Sequence, residues 1–144
     1  MDENTRIIIE VRLEKAREDL MTARELLSLG RLRGAVNRAY YAVYHVTTAL
    51  LLTEDIERRR HSGVQSAFSH YFIKTGKVEP EYARILTAAR KARESSDYSD
   101  RIELDRETAE EIVADAERFI SRIERYLANT GIIPTNEALE EQFK

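Results

Sequence analysis

The stretch that decides the fold runs from Leu32 to Thr53 and reads LRGAVNRAYYAVYHVTTALLLT. Small residues recur along it at intervals of three and four, and tyrosine and leucine side chains widen its apolar surface to nearly the whole circumference. A helix that is apolar all round is buried by its neighbours. The stretch therefore predicts the central helix of a helical protein, on which four polar side chains stand out: Asn37, Arg38, His45 and Thr48.

Amphipathic helices are predicted on both sides of this central helix. Upstream, apolar residues alternate in steps of four and three from Ile9 to Leu27, which predicts a helix over about 4–29 that ends at Gly30. Downstream, similar spacing predicts helices over about 61–75, 80–95 and 105–128, the last opened by a capping box. That capping box is expected to use Thr108 and Glu111, and residues 96–100 are expected to form a loop. The third helix is expected to turn four aromatic and aliphatic side chains inward: Val64, Phe68, Tyr71 and Phe72.

These elements predict an all-α fold, an antiparallel up-and-down bundle of four to five helices. Residues 1–128 contain the predicted helices and are expected to form the bundle. No alternation typical of β-strands occurs in them. Residues 129–144 are expected to form a C-terminal tail, whose apolar residues dock on the bundle or on a partner subunit: Ile132, Ile133, Leu139 and Phe143.

The composition restricts the class of protein. A chain of 144 residues with 42% hydrophobic residues suits one folded domain, and the lack of cysteine excludes disulfides and thiol catalysis. The first residues show no signal-peptide pattern and no apolar run reaches the ~18 residues of a membrane span, so a cytoplasmic protein without membrane contact is expected.

The net charge of −3 hides an asymmetry, because residues 31–93 hold 12 Lys and Arg against 5 Asp and Glu. A basic centre favours an acidic partner such as a nucleic acid, and scattered solubilising charge is the alternative.

Most site chemistries find no support in the sequence. The five glycines stand isolated, so they form no loop that would cradle a phosphate. The three histidines, His45, His61 and His70, have neither the HExxH nor the Glu-x-x-His spacing of metal sites. No metal ion and no cofactor is therefore expected.

Arg38 and His45 form the first candidate site. They lie seven residues apart on the central helix, which places both on one face. An arginine that binds a phosphate and a histidine that moves a proton are the minimum for metal-free RNA cleavage. In the alternative interpretation, Arg38 pairs with a carboxylate, from Asp97 or from the fifth helix, and His45 bonds a backbone carbonyl.

A second candidate cluster lies where the fourth helix ends. Arg90 and Arg93 share a helix face and can clamp a phosphate. Asp97 suits equally a structural lock between the second and fourth helices. Arg59 and Arg60 belong to a run of three arginines before the third helix, and we expect them to add phosphate contacts unless they form a solvated loop.

Several motifs of the chain resemble the HEPN superfamily, in particular its small stand-alone branch. The second helix of that branch has the pattern R-A-Y-Y-A-x-[FY]-H, which matches residues 38–45 here and is followed by a leucine-rich end at 49–52. A helix start H-S-G-V matches residues 61–64, and an R-x-x-x-D-Y motif matches residues 93–98. The resemblance covers about residues 8–127 in the same order.

The resemblance implies a helical bundle that forms a homodimer and is often encoded beside a minimal nucleotidyltransferase as a toxin–antitoxin pair. Many HEPN proteins are metal-independent endoribonucleases, with an arginine and a histidine four to six residues apart at the dimer cleft, near the position of Arg93. Here Tyr98 follows Arg93 by five residues, and no histidine follows His70. A tyrosine, with an ordinary pKa of ~10, is a poor base at neutral pH.

Three functions of different class follow. The first is a dimeric HEPN-like protein that binds a nucleotidyltransferase partner, a nucleotide or RNA phosphates. The second is a ribonuclease toxin whose catalytic residues are Arg38 with His45, or Arg93 with Tyr98. The third is a structural partner subunit, which would show no salt-dependent binding of RNA.

Overall fold

The protein is helical throughout the computed structural model, which describes residues 1–98 and 104–134; the side chains of Asp97 and Tyr98 are outside this description. The α-helices are α1 (Glu3–Ser28), α2 (Leu32–Leu52), α3 (His61–Phe68), α4 (Pro80–Tyr98) and α5 (Arg106–Asn129), and a π-helix, Ser69–Ile73, continues α3. No β-strand occurs among the described residues. The predicted all-α bundle is confirmed.

Helix α2 lies at the centre of the bundle and packs against each of the other four α-helices. The alanines along one side of α2 are fully buried: Ala35, Ala39, Ala42 and Ala49. At Gly34 the helix α2 lies close to α1, since an added Cβ there would lie 3.0 Å from Leu26 Cδ1. Thr47 is a polar residue in this core, and its hydroxyl donates a 2.7 Å hydrogen bond to the Val43 carbonyl. The buried threonine is therefore satisfied within its own helix.

Helices α1 and α2 form an antiparallel hairpin. The apolar seam of α1 is buried against its neighbours, as the alternation predicted, and consists of Ile9, Leu13, Ala16, Leu20 and Ala23. Only residues 29–31 connect the two helices, and Gly30 adopts the left-handed conformation (φ 74°) that a short helix-ending turn requires.

Aromatic side chains fill the core between the later helices. The Phe119 ring lies 5.5 Å from Phe68 and 6.1 Å from Tyr82, measured between ring centroids. Phe72 is fully buried, whereas Tyr71 is 37% exposed, so the prediction that Tyr71 points inward is wrong. The wider turn of the π-helix rotates Tyr71 away from the direction of Phe68 while Phe72 stays close to it.

Two helix boundaries differ from the predicted ones. Helix α4 continues to Tyr98, and within it the Ser96 hydroxyl is satisfied by a 3.1 Å hydrogen bond to the Arg93 carbonyl. At the start of α5 the cap is Asp105, whose carboxylate accepts a 2.7 Å hydrogen bond from the Thr108 backbone N–H. The capping box proposed for Thr108 and Glu111 is therefore wrong, since Thr108 is already within the helix.

The chain after α5 folds back on the bundle over its first residues. Ile132 and Ile133 pack against the core, and Arg6 Nη1 donates a 3.1 Å hydrogen bond to the Ile132 carbonyl. Leu139 and Phe143 lie outside the described residues, so the docking of the remaining tail stays a prediction.

Candidate functional site

Two polar clusters lie side by side on α2. The first, the Asp19 cluster, consists of Asp19 of α1 with Asn37, Arg38 and His45 of α2. The second, the His61 cluster, consists of Tyr40 and Tyr44 of α2, His61 of α3, and Arg90 and Arg93 of α4. Tyr41 lies between the two clusters and contacts both of them.

The Asp19 carboxylate joins the two residues of the first candidate site. Its Oδ1 lies 3.1 Å from Arg38 Nη1, and its Oδ2 lies 3.5 Å from His45 Nε2. The remaining side of the Arg38 guanidinium donates to Asn37 Oδ1. Arg38 and His45 thus share one face, as the spacing predicted, and the carboxylate partner is Asp19 of α1.

This arrangement restricts what His45 can do. Burial lowers the pKa of His45, and the nearby Asp19 carboxylate acts in the opposite direction. The ring is therefore neutral at neutral pH, and the carboxylate lies at its Nε2. The structural interpretation placed a carboxylate of Asp97 or of the fifth helix beside Arg38. Among the described residues, the carboxylate beside Arg38 is that of Asp19 on α1, and the Asp97 side chain is outside the description.

The His61 cluster is built from aromatic rings around one histidine. The Tyr40 hydroxyl and His61 Nδ1 form a short hydrogen bond. The His61 ring also stacks on Tyr44, with 4.6 Å between the ring centroids and 18° between the planes. Burial raises the pKa of Tyr40 to about 12, which keeps its phenol protonated and able to take part in this hydrogen bond.

Two arginines of α4 complete the His61 cluster. The Arg93 guanidinium carbon lies 5.1 Å from the Tyr40 ring centroid and 5.5 Å from that of Tyr41, and its Nη1 donates to the Tyr41 hydroxyl at 3.2 Å. Arg90 bonds Gln65 Oε1 at 3.3 Å and Glu94 Oε1 at 3.0 Å. Burial lowers the pKa of His61, and the positive charges of Arg93 and Arg90 lower it further.

The sequence motifs contained a signal for His61 whose role they did not reveal. His61 opens the H-S-G-V segment, and in the fold it bonds Tyr40. Arg93 lies against the same tyrosine, and no histidine follows Arg93 in the sequence. Tyr98, the residue proposed for that role, has a side chain outside the description, and so has Asp97, the proposed lock. Asp19 gave no such signal, because it lies on the polar face of α1 and its contacts depend on how α1 packs against α2.

The arginines before α3 do not act as one group. The side chains of Arg59 and Arg60 are exposed and make no hydrogen bond or ion pair within the described residues, whereas Arg58 lines a cavity of about 230 Å³. Arg12 and Lys15 of α1 line the same cavity, together with His45 and Tyr44. Sequence reasoning did not identify Arg12 and Lys15, because they appear as ordinary charges of an amphipathic helix.

Metal-binding clusters and membrane-spanning helices are both absent from the described part of the chain. Within it, no group of three or more His, Asp or Glu side chains is placed to hold a metal ion. None of its helices combines the length and the apolar character that crossing a membrane would require.

The fold and these motifs define a known class of protein. A family model described as the HEPN domain matches residues 9–126, and the chain belongs to this family. Its relatives include a UPF0332 protein of Thermotoga maritima, 38% identical over 83% of this chain and 91% of the relative. A protein of Methanocaldococcus jannaschii named "Putative toxin MJ0605" is 37% identical over 88% of this chain and 94% of the relative.

A solved structure shares the fold. The crystal structure of TT1696 from Thermus thermophilus superimposes with a TM-score of 0.70, over 83% of this chain and 98% of that one. Its sequence identity is 21%, so the similarity concerns the helical architecture alone.

Proposed function

We propose that this chain is the HEPN member of a toxin–antitoxin-type pair and that it binds RNA or nucleotide phosphates at the surface around Tyr41. The observation that carries the proposal is that two guanidinium groups, Arg38 of α2 and Arg93 of α4, lie against the same tyrosine ring, at 5.2 Å and 5.5 Å from its centroid. Two relatives named as toxins support the biological setting.

The chemistry of phosphate recognition suits this surface. A guanidinium group keeps its charge at every physiological pH and offers several N–H donors in one plane. Tyrosine rings add faces on which unpaired bases stack. The Arg38 side chain is 38% exposed and that of Arg90 is 29% exposed, so part of each remains accessible to a ligand. Arg59 and Arg60, exposed beside α3, extend this basic surface.

Binding to single-stranded RNA tests the proposal. We expect the affinity to fall with rising salt, and the Arg93→Gln variant to reduce the slope of log K against log salt by about one. Arg84→Gln is the matched control, because Arg84 is exposed on the same helix and makes no ion pair within the described residues. Salt-independent binding, or equal slopes for the two variants, would favour a structural partner subunit instead.

A homodimer and a minimal nucleotidyltransferase partner belong to the same proposal. Three apolar side chains of α1 are nearly half exposed and lie on adjacent turns, Ile7, Ile8 and Val11, which suits a surface covered by a second copy of this chain. Light scattering should give twice the monomer mass for the wild type and the monomer mass for Ile8→Glu. Co-purification with a co-expressed minimal nucleotidyltransferase tests the other partner. Since the proposed ligands are RNA and nucleotides, we propose that the pair acts in the cytoplasm.

A metal-independent endoribonuclease is the second candidate, and the contact of both His61 and Arg93 with Tyr40 favours it. When His61 Nδ1–H donates to the Tyr40 hydroxyl oxygen, Nε2 is left to accept a proton from a ribose 2′-hydroxyl. Arg93 is placed to stabilise charge on the phosphate. Arg38 with His45 suits this chemistry less well, because Asp19 contacts both of them.

Cleavage of RNA in the presence of a metal chelator separates these sites. If His61 is the general base, His61→Gln lowers the rate by about 100-fold or more, since positioned acid–base groups contribute about 10²–10⁴. His45→Gln is the matched control and should retain most of the activity. Equal loss in both variants would return the Arg38 and His45 pair to first place, and no cleavage by the wild type would leave phosphate binding alone.

A further inference from the structure

The cavity beside the two polar clusters has a wall of positive charge. It has a volume of about 230 Å³ and lies between α1, the second half of α2 and the connection to α3. Its charged lining consists of Arg12, Lys15, Arg58 and Glu57, which leaves a surplus of two positive charges. His45 lies at the same wall and is neutral at neutral pH, because burial lowers its pKa.

The cations of this cavity are only weakly engaged by the protein. Lys15 makes no ion pair or side-chain hydrogen bond with any described residue. Arg58 donates to the backbone carbonyl of Glu57 at 2.9 Å, which leaves its charge without a carboxylate partner in the described chain. The ion pair between Arg12 and Glu57 is long, at 3.4 Å, and Glu57 is 72% exposed, so water screens this attraction.

Two contacts hold the cations at the cavity. Arg12 Nη1 donates to the Thr48 carbonyl at 3.4 Å, which directs the guanidinium across from α1 to α2. The stem of Arg58 lies on Gly63, where an added Cβ would be 3.3 Å from Arg58 Cβ and 3.5 Å from its Cδ. The glycine of the H-S-G-V segment thus gives the Arg58 side chain room to lie beside the start of α3.

From this geometry we propose that the cavity is a second phosphate site, which binds a terminal phosphate group carried by a nucleotide or by the 5′ end of an RNA. A phosphomonoester has a charge of about −1.5 to −2 at neutral pH, which matches the surplus of two positive charges. A cavity smaller than the ~300–1,000 Å³ typical of drug-sized ligands suits a phosphate with part of its nucleoside. The Tyr44 ring, which lines the cavity, is available for contact with the sugar or base.

The site uses residues that the proposed function does not need. Arg12, Lys15 and Arg58 lie apart from the arginines around Tyr41, while Tyr44 belongs to both regions because its ring lines the cavity and stacks on His61. Loss of binding at one site therefore does not require loss at the other, and the two proposals can fail separately.

Titration of the full chain with 5′-AMP, adenosine and inorganic phosphate, followed by NMR shifts of the backbone amides, tests the site. We expect AMP and phosphate, and not adenosine, to shift the amides of Lys15, Thr48 and Arg58. Lys15→Gln and Arg58→Gln should each weaken AMP binding by about tenfold, which corresponds to ~1.4 kcal/mol at 25 °C. Lys91→Gln and Arg33→Gln are the matched controls, both exposed and without ion pairs among the described residues, and they should leave the affinity unchanged.

The same titration with a short RNA distinguishes the two sources of phosphate. A 5′-phosphorylated RNA that binds more tightly than its 5′-hydroxyl counterpart, with the difference abolished by Lys15→Gln, identifies an RNA end as the ligand. Equal affinities of the two RNAs, with AMP still bound in the cavity, identify a free nucleotide. Absence of AMP and phosphate shifts at these amides, or equal effects of the Arg58 and Arg33 variants, would overturn the proposal whatever the Arg93 variant does to RNA binding.

Discussion

The Asp19 cluster and the His61 cluster each bring arginine close to a histidine, and they differ in what surrounds the histidine. In the first, a carboxylate of α1 lies within 3.5 Å of both the arginine and the histidine. In the second, the histidine is enclosed by tyrosine rings and by the positive charges of two arginines. An arginine close to a histidine therefore does not by itself define a catalytic site, because the neighbouring helices decide whether the histidine nitrogens are already engaged.

Removal of the Asp19 carboxylate should have the largest effect on stability. Asp19→Ala leaves the partly buried Arg38 and His45 without their partner, and we expect a loss of about 1–3 kcal/mol in the free energy of unfolding. Urea unfolding measures this loss. Glu18→Ala is the matched control, because Glu18 is the exposed neighbour and makes no ion pair within the described chain. Equal effects of the two variants would show that Asp19 does not hold this cluster together.

In the His61 cluster the corresponding change is Tyr40→Phe, with a smaller effect. It removes the hydroxyl that bonds His61 Nδ1 while keeping the buried ring, so the loss should be about 0.5–1.5 kcal/mol in the same measurement. Tyr44→Phe is the control, since the Tyr44 hydroxyl makes no hydrogen bond among the described residues, and its stability should stay near that of the wild type. An equal loss for Tyr44→Phe would mean that the hydrogen bond between Tyr40 and His61 does not account for the effect.

The stability of the fold should decrease as the pH falls below 6.5. The pKa of His45 and of His61 is lowered from the ordinary 6.5, so below this pH the unfolded chain binds protons that the folded chain does not. The contribution is fully present above pH 6.5 and is lost progressively towards the lowered pKa values. Thermal unfolding between pH 7.5 and 5 should therefore show a smaller pH dependence in the His45→Gln and His61→Gln double variant, and an identical pH dependence would contradict this assignment.

The finest test of the difference is the direction in which each histidine pKa moves. Asp19→Asn removes a charge that raises the pKa of His45, so that pKa should fall. Arg93→Gln removes a charge that lowers the pKa of His61, so that pKa should rise. NMR titration of the imidazole Cε1 protons measures both, and each variant is the control for the other histidine. Movement of both pKa values in one direction would show that burial alone distinguishes the clusters.

The helices and the core could be predicted because periodicity is a local signal. The spacing of Ala35, Ala39 and Ala42 already indicates that α2 is buried, and the alternation from Ile9 to Leu27 indicates which face of α1 packs. The boundaries were less accessible, because they depend on single hydrogen bonds, such as that of the Ser96 hydroxyl within α4 and that of the Asp105 cap. The π-turn that exposes Tyr71 has no counterpart in the spacing of the third helix.

The site could be predicted only in part, for a different reason. Arg38, His45, Arg90 and Arg93 stood out by residue type on apolar or motif-bearing helices, and the structure describes contacts for each of them. Their partners come from distant parts of the chain: Asp19 lies 19 residues before Arg38, and His61 lies 21 residues after Tyr40. Such pairings depend on the packing of α1 and α3 against α2, which no local pattern encodes.

The central position of α2 has a consequence for how any ligand could be controlled. Both clusters and one wall of the cavity include residues of a single 21-residue helix that contacts every other α-helix. A segment buried in this way opens only when the whole domain unfolds, so its amides should exchange with solvent at the rate set by global stability. Local melting of α2 is therefore not an available switch for these surfaces. In the proposed toxin–antitoxin pair, control would come from an antitoxin that covers them from outside.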